Sequence, residues 1–137
     1  MSYTRGGPNK RRQFDWHYDP DSGELLIINQ NGREIMYSVG EIREIFKSLH
    51  GRFGKEYFRL SNNIAFLGDK TEQEGLGMTI LGVLPGDFTR AQGASYLGVV
   101  LEECGYLEWN GKSTGIAWRV VREDFGVEAV KMRLGAG

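Results

Sequence analysis

The 137-residue sequence has little cysteine, little histidine and no long hydrophobic run. Cys104 is the only cysteine, which excludes an internal disulfide and a zinc site built from several cysteines. The two histidines, His17 and His50, lie on different predicted elements, so the sequence offers no histidine pair for a metal and no nucleophile–base pair. The longest apolar stretches, near residues 25–28 and 99–101, are much shorter than a membrane span. We therefore expect no catalytic residues, no metal, no cofactor and no membrane partner, and an enzyme is disfavoured.

The remaining composition is typical of one folded domain. Hydrophobic residues make up 40% of the chain and aromatic residues 12%, as in globular rather than disordered proteins. The basic N-terminal residues are not followed by the apolar segment of a secretory signal. Together with the lone cysteine, this favours a cytoplasmic protein.

Charge is distributed unevenly, although the formal net charge is only −1. Four of the 17 basic residues, and none of the 18 acidic residues, lie within residues 1–12. These four are Arg5, Lys10, Arg11 and Arg12. One interpretation is a flexible basic tail over 1–12 in which Gly6-Gly7-Pro8 prevents regular structure; the other is an arm that contacts phosphates. Residues 13–134 are predicted to form a single α+β domain.

The first part of this domain has the pattern of a small antiparallel sheet. Aromatic residues alternate with polar ones from Phe14 to Tyr18, and Leu25–Ile28 is continuously apolar. Asn31-Gly32 is a strong hairpin signal because both residues tolerate the backbone conformations of tight turns. The sequence therefore predicts a three-stranded meander over 13–38.

A helix is predicted directly after the meander. Ser38 and Glu41 have the spacing of a capping box, in which each side chain binds the other residue's backbone N–H. An apolar stripe follows at helical spacing and is expected to face the core; it consists of Val39, Ile42, Ile45, Phe46 and Leu49. Gly51 is predicted to end the helix.

The middle of the chain is less regular. Tyr57–Leu60 is a candidate short strand, and residues 61–74 are polar and are expected to be irregular. Residues 75–83 are apolar but contain three glycines, so helix and strand both remain open there. Gly75-Leu76-Gly77 matches only a fragment of a phosphate-binding glycine pattern, and close backbone packing explains it more simply.

A helix–turn–helix and hairpin pattern follows. Pro85-Gly86 forms a turn, Thr89–Cys104 has helical periodicity, and Tyr106–Trp109 and Ile116–Val121 read as two strands around a polar loop. Residues 122–134 are predicted to form a further short helix or strand. The order of elements over 39–121 resembles the winged helix-turn-helix superfamily, with the final hairpin as the wing.

This resemblance implies a mode of DNA binding. In that superfamily the second helix of the pair enters the major groove and the wing contacts the backbone. If Leu97 is the centre of the buried face, Gln92, Ser95 and Val99 point outward and Tyr96 lies nearby. The candidate DNA contacts are therefore Arg90, Gln92, Ser95, Tyr96, Lys112, Ser113, Thr114 and Arg119, with the basic tail residues Arg5, Lys10, Arg11 and Arg12.

The local charge argues against this function. Residues 87–122 contain four basic and four acidic residues, whereas DNA binding depends on clustered cations. Two hypotheses therefore stay open: a non-enzymatic module of winged-helix type that binds double-stranded DNA, or a module of the same fold that binds a protein partner or forms a homodimer. The second would use exposed aromatic residues and Val99. The two differ in how binding responds to salt.

Overall fold

The protein is an α+β protein, and its computed structural model describes residues 1–7, 9–69 and 73–136. The N-terminal part contains the strands β1 (Ser2–Tyr3), β2 (Gln13–Asp19), β3 (Glu24–Asn29) and β4 (Glu34–Ser38). The middle contains α1 (Val39–Phe53), β5 (Phe58–Arg59), α2 (Ile64–Asp69) and α3 (Leu76–Val83). The last part contains α4 (Phe88–Gln92), α5 (Ala94–Glu103), β6 (Leu107–Trp109), β7 (Ala117–Val120) and α6 (Val127–Ala136).

The N-terminal sheet has four antiparallel strands in the order β1-β2-β3-β4, not the three predicted. The extra strand comes from the predicted tail, since Ser2 pairs with Phe14 and Tyr3 with Gln13. Thr4 and Arg12 close this pairing with backbone and side-chain hydrogen bonds of 2.9 and 2.8 Å. The prediction of a flexible tail over 1–12 is therefore wrong for these residues, because strand pairing and hydrogen bonds hold them; Pro8 lies outside the described residues.

One face of the sheet packs against the helices. Period-2 alternation along the strands directs their larger apolar side chains to this face. Those side chains are Phe14, Tyr18, Leu25, Ile27, Ile35 and Tyr37, all buried. They belong to one hydrophobic cluster that also includes the inner sides of α1, α3, α5 and α6. The sheet and the helical part therefore share a single continuous core.

Helix α1 begins as predicted. The Glu41 backbone N–H donates to Ser38 Oγ over 3.1 Å and the Ser38 N–H donates to Glu41 Oε1 over 2.8 Å, which confirms the capping box. The predicted apolar stripe is buried. The helix ends later than predicted, because Gly54 rather than Gly51 adopts the positive φ (58°) of the C-terminal cap.

Residues 76–83 are helical, since α3 covers Leu76–Val83, and Gly75 forms an isolated bridge with Arg59. Two of the three glycines lie against the chain at residues 59–61: a Cβ at Gly75 would come 2.3 Å from the Arg59 carbonyl oxygen, and one at Gly77 would come 1.9 Å from that of Ser61. The Gly77 N–H also donates to the Leu60 carbonyl over 2.9 Å. Close backbone packing is therefore the reason for Gly75 and Gly77, whereas a Cβ at Gly82 would meet nothing within 4 Å.

The segment over 61–74 is not irregular throughout, because α2 occupies Ile64–Asp69; residues 70–72 lie outside the described residues. The predicted single helix over Thr89–Cys104 is also wrong. It is broken at Gly93 into α4 and α5. A Cβ at Gly93 would come 3.2 Å from both Ile35 Cδ1 and the Tyr37 hydroxyl, so this corner is pressed onto the sheet.

The predicted hairpin is confirmed as β6 and β7, which pair antiparallel. The short strand β5 pairs with the other edge of β7, so the second sheet has the order β5-β7-β6. The last element, for which helix and strand were both predicted, is the helix α6 at Val127–Ala136. Among the described residues, no helix combines the length and apolar character that crossing a bilayer requires.

The packing of α5 on β7 depends on Gly98. A Cβ at this position would lie 2.6 Å from the ring of Trp118, which is fully buried and has no room to move away. We expect Gly98→Ala to lower the free energy of unfolding by about 1–3 kcal/mol through overpacking. Urea unfolding measures the effect. Gly51→Ala is the matched control, because a Cβ in that exposed helical position meets nothing within 4 Å. This change should stabilise α1 by up to about 1 kcal/mol, since alanine favours helices more than glycine does. Equal effects of the two changes on the free energy of unfolding would contradict the packing argument.

Candidate functional site

A cleft of about 650 Å³ lies between three parts of the chain. The N-terminal segment contributes residues 4–7, 9, 10 and 12 to its lining, and the β6–β7 loop contributes residues 113–116. Ser95 and Tyr96, in the first turn of α5, also line it. The cleft thus joins the N-terminal segment, the start of α5 and the hairpin loop.

Two smaller depressions continue this cleft. One, of about 230 Å³, lies beside the α4–α5 corner and shares Ser95 and Tyr96 with the cleft. The other, of about 380 Å³, lies along residues 59–63 and shares the loop residues Ser113 and Gly115 with it. Asn62 borders all three. We call the three together the basic cleft, after the cations that line it: Arg5, Lys10, Arg12, Arg33 and Arg59.

The charge of the basic cleft differs from that of the whole chain. No Asp or Glu occurs among the described residues that line it. Of the five cations, only Arg5 forms an ion pair with a described acidic residue. Lys10, Arg12, Arg33 and Arg59 are exposed. The cleft is therefore a cationic surface on a protein whose net charge is −1.

Glu102, near the end of α5, holds the N-terminal segment in place. Its carboxylate accepts hydrogen bonds from Arg5, including one of 3.1 Å from Nε, and a further one of 3.1 Å from the indole N–H of Trp118. The Arg5 guanidinium also lies 4.5 Å from the ring centroid of Trp109. One carboxylate thus ties the N-terminal segment to both α5 and the β6–β7 hairpin.

The hairpin loop is shaped by its own hydrogen bonds. The Asn110 side chain donates to the Gly115 carbonyl over 3.0 Å and accepts from the Lys112 N–H over 3.1 Å. The indole N–H of Trp109 donates to the Lys112 carbonyl over 3.2 Å. These bonds leave the side chains of Lys112, Ser113 and Thr114 exposed at the loop tip.

The structure brings most of the predicted contact residues together. Ser95, Tyr96, Ser113 and Thr114 line the cleft, as do Arg5, Lys10 and Arg12 from the predicted tail. Gln92 borders the depression at the α4–α5 corner. Lys112 lies beside Ser113 at the loop tip, and none of the described acidic residues pairs with it. Arg90, Arg119 and Arg11 lie elsewhere.

Arg90 stabilises the packing of three elements. Its guanidinium lies 2.7 Å from Glu41 Oε1 and 2.7 Å from Asp87 Oδ2, and its carbonyl accepts a 2.6 Å hydrogen bond from the Tyr37 hydroxyl. These contacts join α4 to α1 and β4. The side chain is three-quarters buried, is paired with two carboxylates and does not line the cleft, so Arg90 is not included among the cations of this surface.

Arg119 and Arg11 are also engaged outside the cleft. Successive residues of a strand point to opposite faces, so Arg119 points away from its neighbour Trp118, which lines the cleft. Arg119 instead lies 2.5 Å from Glu108 Oε1 and 5.1 Å from the ring centroid of Tyr57. The Arg11 guanidinium lies 4.0 Å from the ring centroid of Tyr3.

The sequence analysis missed Arg33, Arg59 and Asn62. They belong to a hairpin end, a two-residue strand and an irregular segment, and no sequence motif joins them. Ser61, beside Asn62, is the one described non-glycine residue with a positive φ (56°), and its hydroxyl donates to the Gln73 carbonyl. Arg59 and Asn62 are brought to the cleft by three long-range contacts: the pairing of β5 with β7, the hydrogen bond from the Asn62 amide to the Gln92 carbonyl, and the packing of residues 59–61 against Gly75 and Gly77.

The outward face predicted for α5 is largely covered. Val99 is only 2% exposed, so its predicted outward position is wrong. The residues one turn further on, Glu102 and Glu103, bind Arg5 and Ser2 of the N-terminal segment. Tyr96 lies against Phe14 of β2, with ring centroids 5.1 Å apart. The N-terminal strands therefore pack along the stripe of α5 that was expected to face DNA.

Neither Cys104 nor His50 lines the basic cleft. Cys104 is buried, and burial raises the pKa of its thiol to about 11, so it behaves as a core residue. His50 lies 3.2 Å from Glu123 at the surface. Within the described ranges, no group of three His, Cys, Asp or Glu side chains could hold a metal ion.

The Arg90 contacts predict a pH-dependent stability. Burial alone would raise the pKa values of Glu41 and Asp87, but hydrogen bonds from backbone N–H groups and from Arg90 outweigh it and hold both pKa values below their usual range. Stabilisation by a carboxyl whose pKa is lowered on folding is present above its unfolded pKa, about 4, and is lost as pH falls through the folded value. We expect Arg90→Met to cost about 1–3 kcal/mol of unfolding free energy at pH 7.

Urea unfolding at pH 7, 5, 4 and 3 measures this difference, which should shrink below pH 4. Arg43→Met, which removes only an exposed pair with Glu44, is the control and should cost less than about 1 kcal/mol at every pH. A difference for Arg90→Met that stays constant from pH 7 to pH 3 would contradict this role for the two carboxylates.

The comparisons with known proteins add no relative to this description. Set against protein-family models, curated proteins and solved structures, the chain gives no match in any of the three. The function of the basic cleft therefore has to be argued from its own residues.

Proposed function

We propose that the protein is a non-enzymatic module of winged-helix type that binds double-stranded DNA through the basic cleft. The observation that carries the proposal is a set of four exposed cations, Lys10, Arg12, Arg33 and Arg59, which form no ion pair with a described acidic residue and lie around a surface that no described acidic residue lines. Phosphate neutralisation by such cations supplies most of the affinity of a protein for DNA.

The arrangement of elements supports the proposal. Helix α1, strand β5, helix α3, the α4–α5 pair and the β6–β7 hairpin occur in the order of the resemblance to winged helices, with the short helix α2 inserted between β5 and α3. The hairpin loop forms one wall of the cleft, and the side chains at its tip are hydroxyls and Lys112. Hydroxyls and ammonium groups are typical donors to phosphate oxygens.

The tertiary structure also answers the electrostatic objection. The zero balance over residues 87–122 includes Arg90 and Arg119, which are paired with acidic residues away from the cleft. The cations of the cleft come instead from the N-terminal segment, the β3–β4 turn and β5. Local net charge in the sequence therefore underestimates the charge of this surface.

Salt dependence tests the proposal directly. We expect the protein to bind a 20-base-pair duplex with a Kd of about 1–100 µM near physiological salt. The logarithm of the binding constant should fall linearly with the logarithm of the salt concentration. Arg12→Ala and Arg59→Ala should each weaken binding and lower the slope by about 0.9, because each removes one phosphate contact. Fluorescence anisotropy of a labelled duplex at several salt concentrations measures both quantities.

Lys47→Ala is the matched control, because it removes the same charge from an exposed position on α1 that does not line the cleft. Its affinity and slope should stay within error of the unmodified protein. Absence of duplex binding at low salt, or an equal loss in the control, would contradict the proposal.

A second candidate function rests on a different surface. On the outer face of the four-stranded sheet, Leu26 of β3 pairs with Met36 of β4, and Ile28 follows on the same face. Met36 is 42% exposed and Ile28 36% exposed. A small apolar patch on a sheet face is a feature of protein-binding surfaces, which favours the homodimer or protein-partner hypothesis.

Self-association distinguishes this candidate. If the patch joins two copies of the chain, the protein should show a monomer–dimer equilibrium that is insensitive to salt, and Met36→Lys should weaken dimerisation at least about tenfold by burying an unpaired charge. Sedimentation equilibrium measures the change. Gln30→Lys adds the same charge beyond the end of β3 and should leave dimerisation unchanged; a protein that is monomeric at all concentrations would remove this candidate.

A further inference from the structure

We infer that Glu102 is a positioning residue for phosphate binding: by holding Arg5, it keeps the cations of the N-terminal segment at the basic cleft. This role rests on the proposed function, because the phosphates are those of the duplex. Removing the negative charge of Glu102 should therefore weaken the binding of an anion, although electrostatic attraction alone would strengthen it.

The N-terminal loop, which we define as residues 5–7 and 9–11, is a turn between two fixed ends. Strand β1 pairs with β2, and Thr4 and Arg12 exchange two backbone and side-chain hydrogen bonds at the base of the loop. Inside the loop, two backbone N–H groups donate to the Gly7 carbonyl over 2.8 Å. These bonds give the loop its shape, but none of them joins it to a helix or to the β6–β7 hairpin.

Arg5 supplies the contact between the loop and the rest of the cleft. Its guanidinium donates to the Glu102 carboxylate through Nε over 3.1 Å and also through Nη2, and it lies 4.5 Å from the ring centroid of Trp109. Among the described residues of the loop, Arg5 alone forms a hydrogen bond or ion pair with a side chain of another element. Glu102 is itself held, since it accepts a 3.1 Å hydrogen bond from the Trp118 indole.

The cations that depend on this anchor are Lys10 and Arg12. Both are exposed and line the cleft, Lys10 from within the loop and Arg12 directly after it. A loop that is not held in advance has to be ordered when the duplex binds, and that ordering reduces the affinity. Glu102 therefore acts on phosphate binding through Arg5, without touching a phosphate.

Glu102→Gln tests the inference, because it removes the charge and keeps an oxygen that can accept from the Trp118 indole. We expect its Kd for a 20-base-pair duplex to rise about three- to tenfold, and its salt slope to fall by about 0.9 for each phosphate contact that is lost. Fluorescence anisotropy of the labelled duplex at several salt concentrations measures both quantities.

Glu128→Gln is the matched control, because it makes the same change of charge at an exposed position on α6 that does not line the cleft. Its affinity should equal or slightly exceed that of the unmodified protein. If Glu102→Gln behaves like this control, the inference is overturned.

Arg5→Lys is a second variant, which keeps the net charge and leaves the Trp118 contact of Glu102 untouched. A lysine ammonium lacks the planar fork of a guanidinium, so this change should also weaken duplex binding. In the Glu102→Gln background it should add little, because both changes break the same contact. Fully additive effects would give Arg5 a phosphate contact of its own and contradict the positioning role.

Limited digestion with trypsin provides a readout that needs no DNA. The loop and the residue after it offer the cleavage sites Lys10, Arg11 and Arg12, all exposed. Cleavage there should be at least about threefold faster in Glu102→Gln than in Glu128→Gln, because a released loop opens more often. Equal rates would overturn the inference.

The two failures are distinguishable. If the unmodified protein binds no duplex, the proposed function fails and the phosphate-binding role of Glu102 fails with it. If the unmodified protein binds the duplex and Glu102→Gln binds it equally well, only the positioning role fails.

Discussion

The carboxylate of Glu102 is the contact on which the candidate site depends. It accepts hydrogen bonds from Arg5 and from the Trp118 indole, and so joins the N-terminal segment, α5 and the β6–β7 hairpin at one point. The carboxylate is 19% exposed and the Arg5 side chain 29% exposed. Charge-assisted bonds in such partly buried positions are stronger than exposed pairs, so this contact fixes one wall of the cleft relative to the others.

That contact has two structural consequences. By holding the N-terminal segment in place, it keeps Lys10 and Arg12 at the cleft beside the hairpin loop. The same segment packs against the end of α5, where Glu103 accepts a hydrogen bond from Ser2. Under the proposed function, the cations that this placement gathers are the ones that meet the phosphates.

Identical residue types have different roles according to their partners. Arg90 and Arg119 are each paired with acidic side chains and stabilise contacts between elements. Arg33 and Arg59 are exposed, and the described acidic residues do not pair with them. Because a paired cation has little attraction left for a phosphate, the proposed DNA binding is assigned to the second group.

The sequence by itself determined the elements whose signals are local. The alternating aromatic residues predict β2, and the Ser38–Glu41 capping box predicts the start of α1. The polar loop between two apolar runs predicts the β6–β7 hairpin. These structures are decided by hydrogen bonds between residues that are close in the chain. Only the tertiary structure decided the pairing of Ser2–Tyr3 with β2, the break at Gly93, and the gathering of Arg33, Arg59 and Asn62 at one cleft. These features depend on contacts between residues far apart in the chain, which no local pattern encodes.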